Sequence, residues 1–195
     1  MLRRLAPLLL VLLPTVGCGA DVGSRAAAEP TTTSSTTTTI APPTPTTLPA
    51  EPIRPPADPR QAEPYVVVGS IEIPKLGLRA PMGEGISLTV IDHGPSHWPG
   101  TAMPGGVGNV VIAGHRVTHS KPFRHIDELV PGDEVFFEVN GVRHRYVMTS
   151  NEIVTPDALR IADQTPDRTA TLFACHPPGS ARFRFVVHLA YTGTG

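Results

Sequence analysis

The feature that most constrains the fold is a series of short apolar segments that begins at Tyr65 and continues to the C-terminus. The Asn140-Gly141 pair lies between two alternating segments, and such a pair is the strongest short signal for a β-hairpin. Predicted helices are few and short, at 86–91, 122–129 and 156–161. Predicted strands lie between loops rich in glycine and proline, at 66–73, 78–82, 109–113, 134–139, 143–150, 170–174 and 182–191. About 130 residues with seven or eight strands predict an all-β fold, a single closed eight-stranded β-barrel.

The first 18 residues have the composition of an export signal. Arg3 and Arg4 precede an apolar run of roughly a dozen residues, and small residues follow it. A spanning helix requires about 20 apolar residues, so a permanent membrane span is the weaker interpretation. The tripeptide 16–18 resembles the lipobox at which bacterial lipoproteins are cleaved and diacylated. We therefore predict a lipoprotein signal at 1–18 with lipidation at Cys18, and an ordinary signal peptide or an uncleaved anchor is the alternative.

The segment after the signal is rich in threonine and proline and has almost no apolar residues to bury. Such a segment cannot offset the conformational entropy that ordering would cost. We predict a disordered linker at 19–63 that holds an exported domain at 64–195 near the membrane. Proline-rich chains extend roughly 3 Å per residue, so this linker could reach on the order of 100 Å.

The overall charge gives no indication of a partner. The formal net charge is -1, which indicates neither nucleic-acid binding nor a strongly acidic partner. Four carboxylates flank the Pro131-Gly132 turn, and we interpret them as a solvated turn rather than a calcium site; they are Asp127, Glu128, Asp133 and Glu134. We predict no cofactor and no bound metal.

Cys175 is the cysteine that remains if Cys18 is removed or lipidated, and it then has no disulfide partner. A buried cysteine acting as a small apolar side chain is one interpretation. The other is a nucleophile, because a predicted strand ends at this residue and Pro177, Pro178 and Gly179 require a loop directly afterwards. A thiol needs a base or a cationic neighbour to react at neutral pH.

Candidates for those neighbours lie on two segments. Arg182 and Arg184 alternate with phenylalanines on the following strand, so both guanidiniums are predicted on one face. His115 follows the buried strand 109–113 and is a candidate general acid/base. His115 and His119 are four residues apart, but strand and loop surround them and no acidic residue lies between them, so we predict no metal site there. His176 is predicted on the opposite face from the thiol.

These segments together resemble the sortases, the cysteine transpeptidases that attach proteins to the bacterial cell wall. The stretch TLFACHP at 171–177 is similar to the family's TLxTC motif followed by proline, with Ala174 where threonine is usual. RFVV at 184–187 is similar to the closing R-x-x-V strand, and AGHR at 113–116 to the histidine motif. HGPSHWPGTAMPG at 93–105 resembles the preceding loop of class E sortases, so the whole of 65–191 is covered.

The resemblance implies a role for three residues. Cys175 would be the nucleophile that attacks the Thr-Gly bond of an LAxTG- or LPxTG-type sorting signal and forms a thioacyl enzyme. His115 would protonate the departing amine and deprotonate the incoming one. Arg184 would stabilise the oxyanion, with Arg182 as the alternative.

The implied partners are secreted proteins with a C-terminal sorting signal and an amine of a cell-wall peptide. The implied location is extracytoplasmic, membrane-anchored and facing the cell wall. Two other functions stay open on the sequence alone: a cysteine peptidase that releases its acyl group to water, and a non-catalytic lipoprotein that binds peptides at the cell surface.

Overall fold

The structure, a computed structural model, describes residues 51–195. The predicted signal at 1–18, Cys18 and most of the predicted linker lie outside the described residues. Eight strands form the described part of the chain: β1 (Val66–Ile73), β2 (Leu78–Glu84), β3 (Ser96–His97), β4 (Gly108–Ala113), β5 (Glu134–Val139), β6 (Val142–Val154), β7 (Arg168–His176) and β8 (Phe183–Thr194).

The strands close into a barrel in the order β1-β2-β3-β4-β7-β8-β6-β5, which confirms the predicted fold class. Neighbouring strands are antiparallel except for two pairs, β2 with β3 and β4 with β7. The β5–β6 hairpin turns at Asn140 and Gly141, with φ angles of 51° and 75°. Positive φ at both positions is the signature of the type I′ turn, whose twist matches that of the flanking strands.

The helices are shorter than the sequence predicts. The one α-helix, α1 (Leu88–Ile91), and three 3₁₀ turns are the helical elements of the described residues. The 3₁₀ turns span Pro74–Leu76, Ile126–Glu128 and Leu159–Ala162. Each predicted helix reduces to a single turn within a connection between two strands.

Strand β4 is buried along its whole length, which explains its continuous apolar sequence. Val110 and Ile112 belong to the large core cluster inside the barrel, whereas Val111 packs outside it with Trp98 and Ala162. A strand covered on both faces carries an apolar run instead of an alternation. Side chains therefore cover both faces of β4, and the site described below lies at the end of this strand.

Residues 51–63, which we call the N-terminal strap, lie against the barrel. The Ile53 amide donates to the carbonyl oxygen of Pro99 at 2.9 Å, and the indole nitrogen of Trp98 donates to the carbonyl oxygen of Ile53 at 2.6 Å. Further along the strap, the Leu88 amide donates to the carbonyl oxygen of Pro59 at 2.7 Å. We predicted these residues as the end of a disordered linker, because their side chains have little apolar surface to bury. The structure differs because backbone groups of the strap form hydrogen bonds with the barrel.

Among the described residues, no helix has both the length and the apolar character needed to cross a membrane.

Candidate active site

The site lies at one rim of the barrel, where β4 and β7 end side by side. Ala113 pairs with Phe173 in parallel register, and the Gly114 amide donates to the carbonyl oxygen of Phe173 at 3.2 Å. A side-chain carbon added at Gly114 would lie 2.5 Å from the ring of Phe123, so this position requires glycine. Two parallel neighbours leave their sheet at the same edge, and His115 and Cys175 therefore emerge at one rim.

Cys175 is half-buried near the end of β7 and forms no disulfide within the described part of the chain. Its direct antiparallel partner on β8 is Arg184. The Nη1 atom of Arg184 donates to the carbonyl oxygens of Ala181 and Phe183, at 2.9 Å and 3.1 Å. These two bonds anchor one end of the guanidinium to the backbone at the start of β8, and the other N–H donors are left for further partners.

A cavity of about 580 Å³ opens at this rim, and His115, Cys175 and Arg184 all line it. Most of the other lining residues are apolar, among them Ile86, Leu88, Trp98, Phe173, Leu159 and Ile161. The strap supplies Pro55, Pro56 and Pro59 to the same wall. An apolar cleft with a few converging polar groups is the usual form of a ligand site.

Asp92 is a site residue that the sequence analysis missed. It follows α1, and its Oδ1 atom lies 2.7 Å from Nε2 of His115. Burial alone would raise the pKa of Asp92, but hydrogen bonds from His115 and Arg60, together with the charges of the two nearby histidines, outweigh burial and lower it. Because the carboxylate is ionised and can only accept, Nε2 of His115 carries a proton. The ring nitrogen left to exchange protons is Nδ1.

Two more side chains converge on the same carboxylate. Nδ1 of His119 lies 3.3 Å from Oδ1 of Asp92, and the rings of His115 and His119 stack with centroids 4.9 Å apart. Nη1 of Arg60, from the strap, lies 3.1 Å from Oδ2. Asp92 is therefore the centre of a cluster that joins α1, the loop after β4 and the strap.

His176 belongs to a hydrogen-bond network centred on Arg116, a buried residue that also lines the cavity. Nη1 of the buried Arg116 donates to Nδ1 of His176 at 2.8 Å, and Nη2 of Arg116 pairs with Asp127 at 2.6 Å. Arginine is always protonated, so the Nδ1 atom of His176 accepts and has no proton of its own. His176 does not line the cavity with Cys175, in agreement with its predicted orientation.

The remaining predicted residues fall outside the cavity. Arg182 lies in the loop before β8, with its guanidinium 5.5 Å from the ring centroid of Phe183, and it does not line the cavity. The prediction that it shares a strand face with Arg184 is wrong because β8 begins one residue later, at Phe183. The four carboxylates around Pro131-Gly132 each face a cation or a histidine: Asp127 with Arg116, Glu128 with His125, Asp133 with Lys75 and Glu134 with Arg145.

A closed eight-stranded barrel with a cysteine, a histidine and an arginine lining one cavity at its rim is the arrangement of a cysteine enzyme of the sortase type. Comparison with known proteins gives the same class. Residues 71–191 match the family profile described as the sortase domain. The chain belongs to the sortase family.

The relatives include sortases of classes E and D. Sortase SrtE1 of Streptomyces coelicolor is 35% identical over 145 residues, which are 66% of this chain and 41% of that protein. The crystal structure of sortase E1 from the same organism, with a tripeptide in its active site, is 31% identical with a TM-score of 0.63 and covers 66% of this chain and 89% of that one. The Clostridium perfringens sortase D5 transpeptidase gives a TM-score of 0.60 at 31% identity, covering 65% of this chain and 79% of that one.

The chain spans less than two thirds of the length of the curated relatives it matches. The matched share is 41% of the Streptomyces coelicolor protein and 61% of sortase D from Bacillus subtilis, which is 28% identical over 124 residues.

Proposed function

We propose that the chain is a cysteine transpeptidase that cleaves the Thr-Gly bond of an LAxTG- or LPxTG-type sorting signal and transfers the acyl group to an amine of a cell-wall peptide. The observation that carries the proposal is that His115, Cys175 and Arg184 line one apolar cavity in a chain of the sortase family. Similarity to sortase E1 with a bound tripeptide supports a peptide substrate, and similarity to the D5 transpeptidase supports acyl transfer to an amine.

In the first half of the reaction, Nδ1 of His115 takes the thiol proton of Cys175, Sγ attacks the threonine carbonyl carbon, and the carbonyl oxygen takes the negative charge. Free N–H donors of Arg184 stabilise that charge; one preorganised donor is commonly worth about 3 kcal/mol of barrier. The carbon–nitrogen bond then breaks, and Nδ1 of His115 gives its proton to the departing amine. A thioester on Cys175 remains.

In the second half, the acceptor amine attacks the thioester carbon and gives a proton to Nδ1 of His115. The new amide forms as the thiolate of Cys175 leaves, and the thiolate takes the proton back from Nδ1 of His115, which restores the starting state. Asp92 holds the imidazole throughout by accepting from Nε2–H, so that one ring nitrogen performs both transfers. Asp92 is a positioning residue in this scheme.

The cavity wall fits the apolar part of such a signal. Leucine followed by alanine or proline presents aliphatic surface without charge, and burial of aliphatic surface is worth about 25 cal/mol per Å². The side chains of Ile86, Leu88 and Trp98 offer a matching surface beside Cys175.

Mass spectrometry tests the proposal directly. Incubating the purified chain with LAxTG and LPxTG peptides should give a thioacyl adduct on Cys175, which is lost in Cys175→Ala and diminished in His115→Ala. With an added amine the product should be the transferred amide. Release of free acid regardless of amine would instead identify a cysteine peptidase, and no adduct with any peptide would favour a non-catalytic peptide-binding protein.

We extend the proposal to the N-terminal segment. Residues 1–18 direct export, Cys18 carries the lipid, and the linker that begins at residue 19 holds the barrel outside the cytoplasmic membrane, facing the cell wall. Metabolic labelling with a fatty-acid analogue should label the full chain and not Cys18→Ser. Equal labelling of both chains would exclude lipidation at this cysteine.

A further inference from the structure

We propose that Asp92, His115 and His119 form a binding site for a divalent transition-metal ion of the Zn²⁺ class, and that the bound metal switches the enzyme off. Asp92 directly follows α1, His115 and His119 lie in the loop after β4, and each residue offers one ligand atom. No acidic residue lies between the two histidines in the sequence, and the fold supplies one from 23 residues before His115.

The spacing of the three ligand atoms fits a small ion. They all lie within 4.8 Å of one another, and Oδ1 of Asp92 is 2.7 Å from Nε2 of His115 and 3.3 Å from Nδ1 of His119. Zinc bonds of about 2.0–2.2 Å in tetrahedral geometry place ligand atoms about 3.3 Å apart. The Asp92–His119 pair already has this separation, and the Asp92–His115 pair needs to open by about 0.6 Å when a metal replaces the shared proton.

Backbone geometry holds His119 in the cluster. Its φ angle is 52°, in the left-handed region that residues other than glycine adopt uncommonly. In this conformation its ring stacks on that of His115, with the planes inclined by 26°. Both histidines therefore present a nitrogen to the same carboxylate oxygen before any metal binds.

The donor set selects the class of metal. Two imidazole nitrogens and one carboxylate oxygen suit zinc and its borderline neighbours, with water completing the coordination. Calcium and magnesium prefer sites built from oxygen atoms, so they fit poorly. The cluster is also accessible, because the side chain of His119 is 42% exposed.

Arg60 opposes metal binding. Its guanidinium contacts Oδ2 of Asp92, and this positive charge disfavours a second cation nearby. The side chain of Arg60 is 61% exposed and can rotate into solvent. Removing this charge should therefore strengthen metal binding. Arg60→Gln is expected to raise the metal affinity, whereas loss of a ligand lowers it.

The inhibitory consequence rests on the proposed function, whereas metal binding itself does not. A metal on Nε2 of His115 replaces the hydrogen bond to Asp92 that positions the imidazole, and it fixes the ring to the metal in the cavity that His115 and Cys175 both line. The ring can then no longer meet the departing and incoming amines. Acyl transfer therefore stops while the metal is bound.

Binding is tested without activity, by calorimetry with Zn²⁺ and by the visible absorption of Co²⁺, on the full chain carrying Cys175→Ala. We expect one metal per chain in this background. Adding His119→Ala should weaken binding at least about tenfold, since even an outer partner of a metal ligand is commonly worth about 10–100-fold. His125→Ala is the matched control, because His125 pairs with Glu128 away from the cavity. Binding that needs Cys175 but not His119, or no binding at all, would overturn the site.

Inhibition is tested on the chain with its thiol. After removal of metal by a chelator, the thioacyl assay should give the uninhibited rate, and Zn²⁺ should abolish it in the original chain and in His125→Ala. The zinc concentration for half-inhibition, relative to each variant's own metal-free rate, should rise in His119→Ala and fall in Arg60→Gln. Zinc binding without inhibition would overturn the switch, whereas a chain inactive even with chelator would count against the proposed function and leave the binding result intact.

Discussion

Arg184 reaches the cavity with one end of its guanidinium fixed to backbone carbonyls, and this fixation decides what can replace it. We expect Arg184→Lys to lower kcat/KM by about 10²–10³-fold, because an oxyanion donor is lost and an ammonium does not reproduce the planar fork. Steady-state kinetics with a sorting peptide measures the change. Arg182→Ala is the control and should retain the original rate; the reverse pattern would move the oxyanion role to Arg182.

In the proposed mechanism Asp92 acts through His115, so its replacement should change turnover more than substrate affinity. We expect Asp92→Asn to lower kcat about 100-fold, the lower part of the range for general acid/base catalysis, while KM stays nearly unchanged. Glu128→Gln is a matched control, because it breaks a histidine–carboxylate contact of the same length, 2.7 Å, at exposed His125. A similar fall in kcat for both variants, or a lower melting temperature for Asp92→Asn alone, would indicate a structural role.

His115, Cys175 and Arg184 are accessible to sequence reasoning because each stands beside a strand end marked by glycine or proline. Asp92 is not accessible in this way. It lies 23 residues before His115, and only closure of the barrel brings the two together. The one available signal was its position directly before the loop HGPSHWPGTAMPG, and that signal carries no geometry.

At the level of elements, the long strands can be predicted from their apolar patterns, whereas the shortest strand cannot. Strand β3 has two residues, too few to show an alternation, and it is defined by its pairing with β2 and β4. For the N-terminal strap, the sequence predicts disorder where the structure shows contacts with the barrel. Its composition indicates disorder, but its order comes from carbonyl oxygens and from Arg60, which composition does not register.

Glu152 on β6 ties three elements together and predicts a pH dependence of stability. A hydrogen bond from Arg160 is the largest influence, and with a weaker one from His188 it outweighs burial and lowers the pKa of Glu152 from 4.5 to about 2. A carboxylate with a lowered pKa in the folded state stabilises the fold above pH 4.5, and that contribution is lost as the pH falls from about 4.5 towards 2.

We expect Glu152→Gln to lower the free energy of unfolding by about 1 kcal/mol at pH 6, a value reduced by solvent screening of the partly exposed pair. The difference from the original chain should shrink as the pH falls through that window. Denaturant unfolding at several pH values measures it. Glu138→Gln is the control, since Glu138 is exposed on β5 and makes none of the ion pairs found in 51–195; a pH-independent difference for Glu152→Gln would contradict the assignment.

For the whole molecule, the strap completes one wall of the cavity. Pro55, Pro56 and Pro59 line that wall, and the carbonyl oxygen of Ile53 accepts from the indole of Trp98, which is 4% exposed. Residues 51–63 therefore pack with the barrel.

The single tryptophan of the chain makes this arrangement measurable. A chain that begins at residue 64 should show red-shifted tryptophan emission relative to one that begins at residue 51, because Trp98 gains contact with water. Its free energy of unfolding should fall by about 1–2 kcal/mol, since several hydrogen bonds of about 1 kcal/mol each are lost and some chain entropy is recovered. Identical spectra and melting curves would show that the strap does not hold its place in solution.

The Asn140-Gly141 turn and the catalytic rim occupy opposite ends of β6, whose far end pairs Val154 with Arg184. Thirteen strand residues at about 3.3 Å each separate them by about 40 Å along the chain. A fluorophore, an affinity handle or a surface linkage attached at this turn would therefore sit far along the strand from the cavity. The barrel thus has an attachment point at which a probe can report on the cavity without touching it.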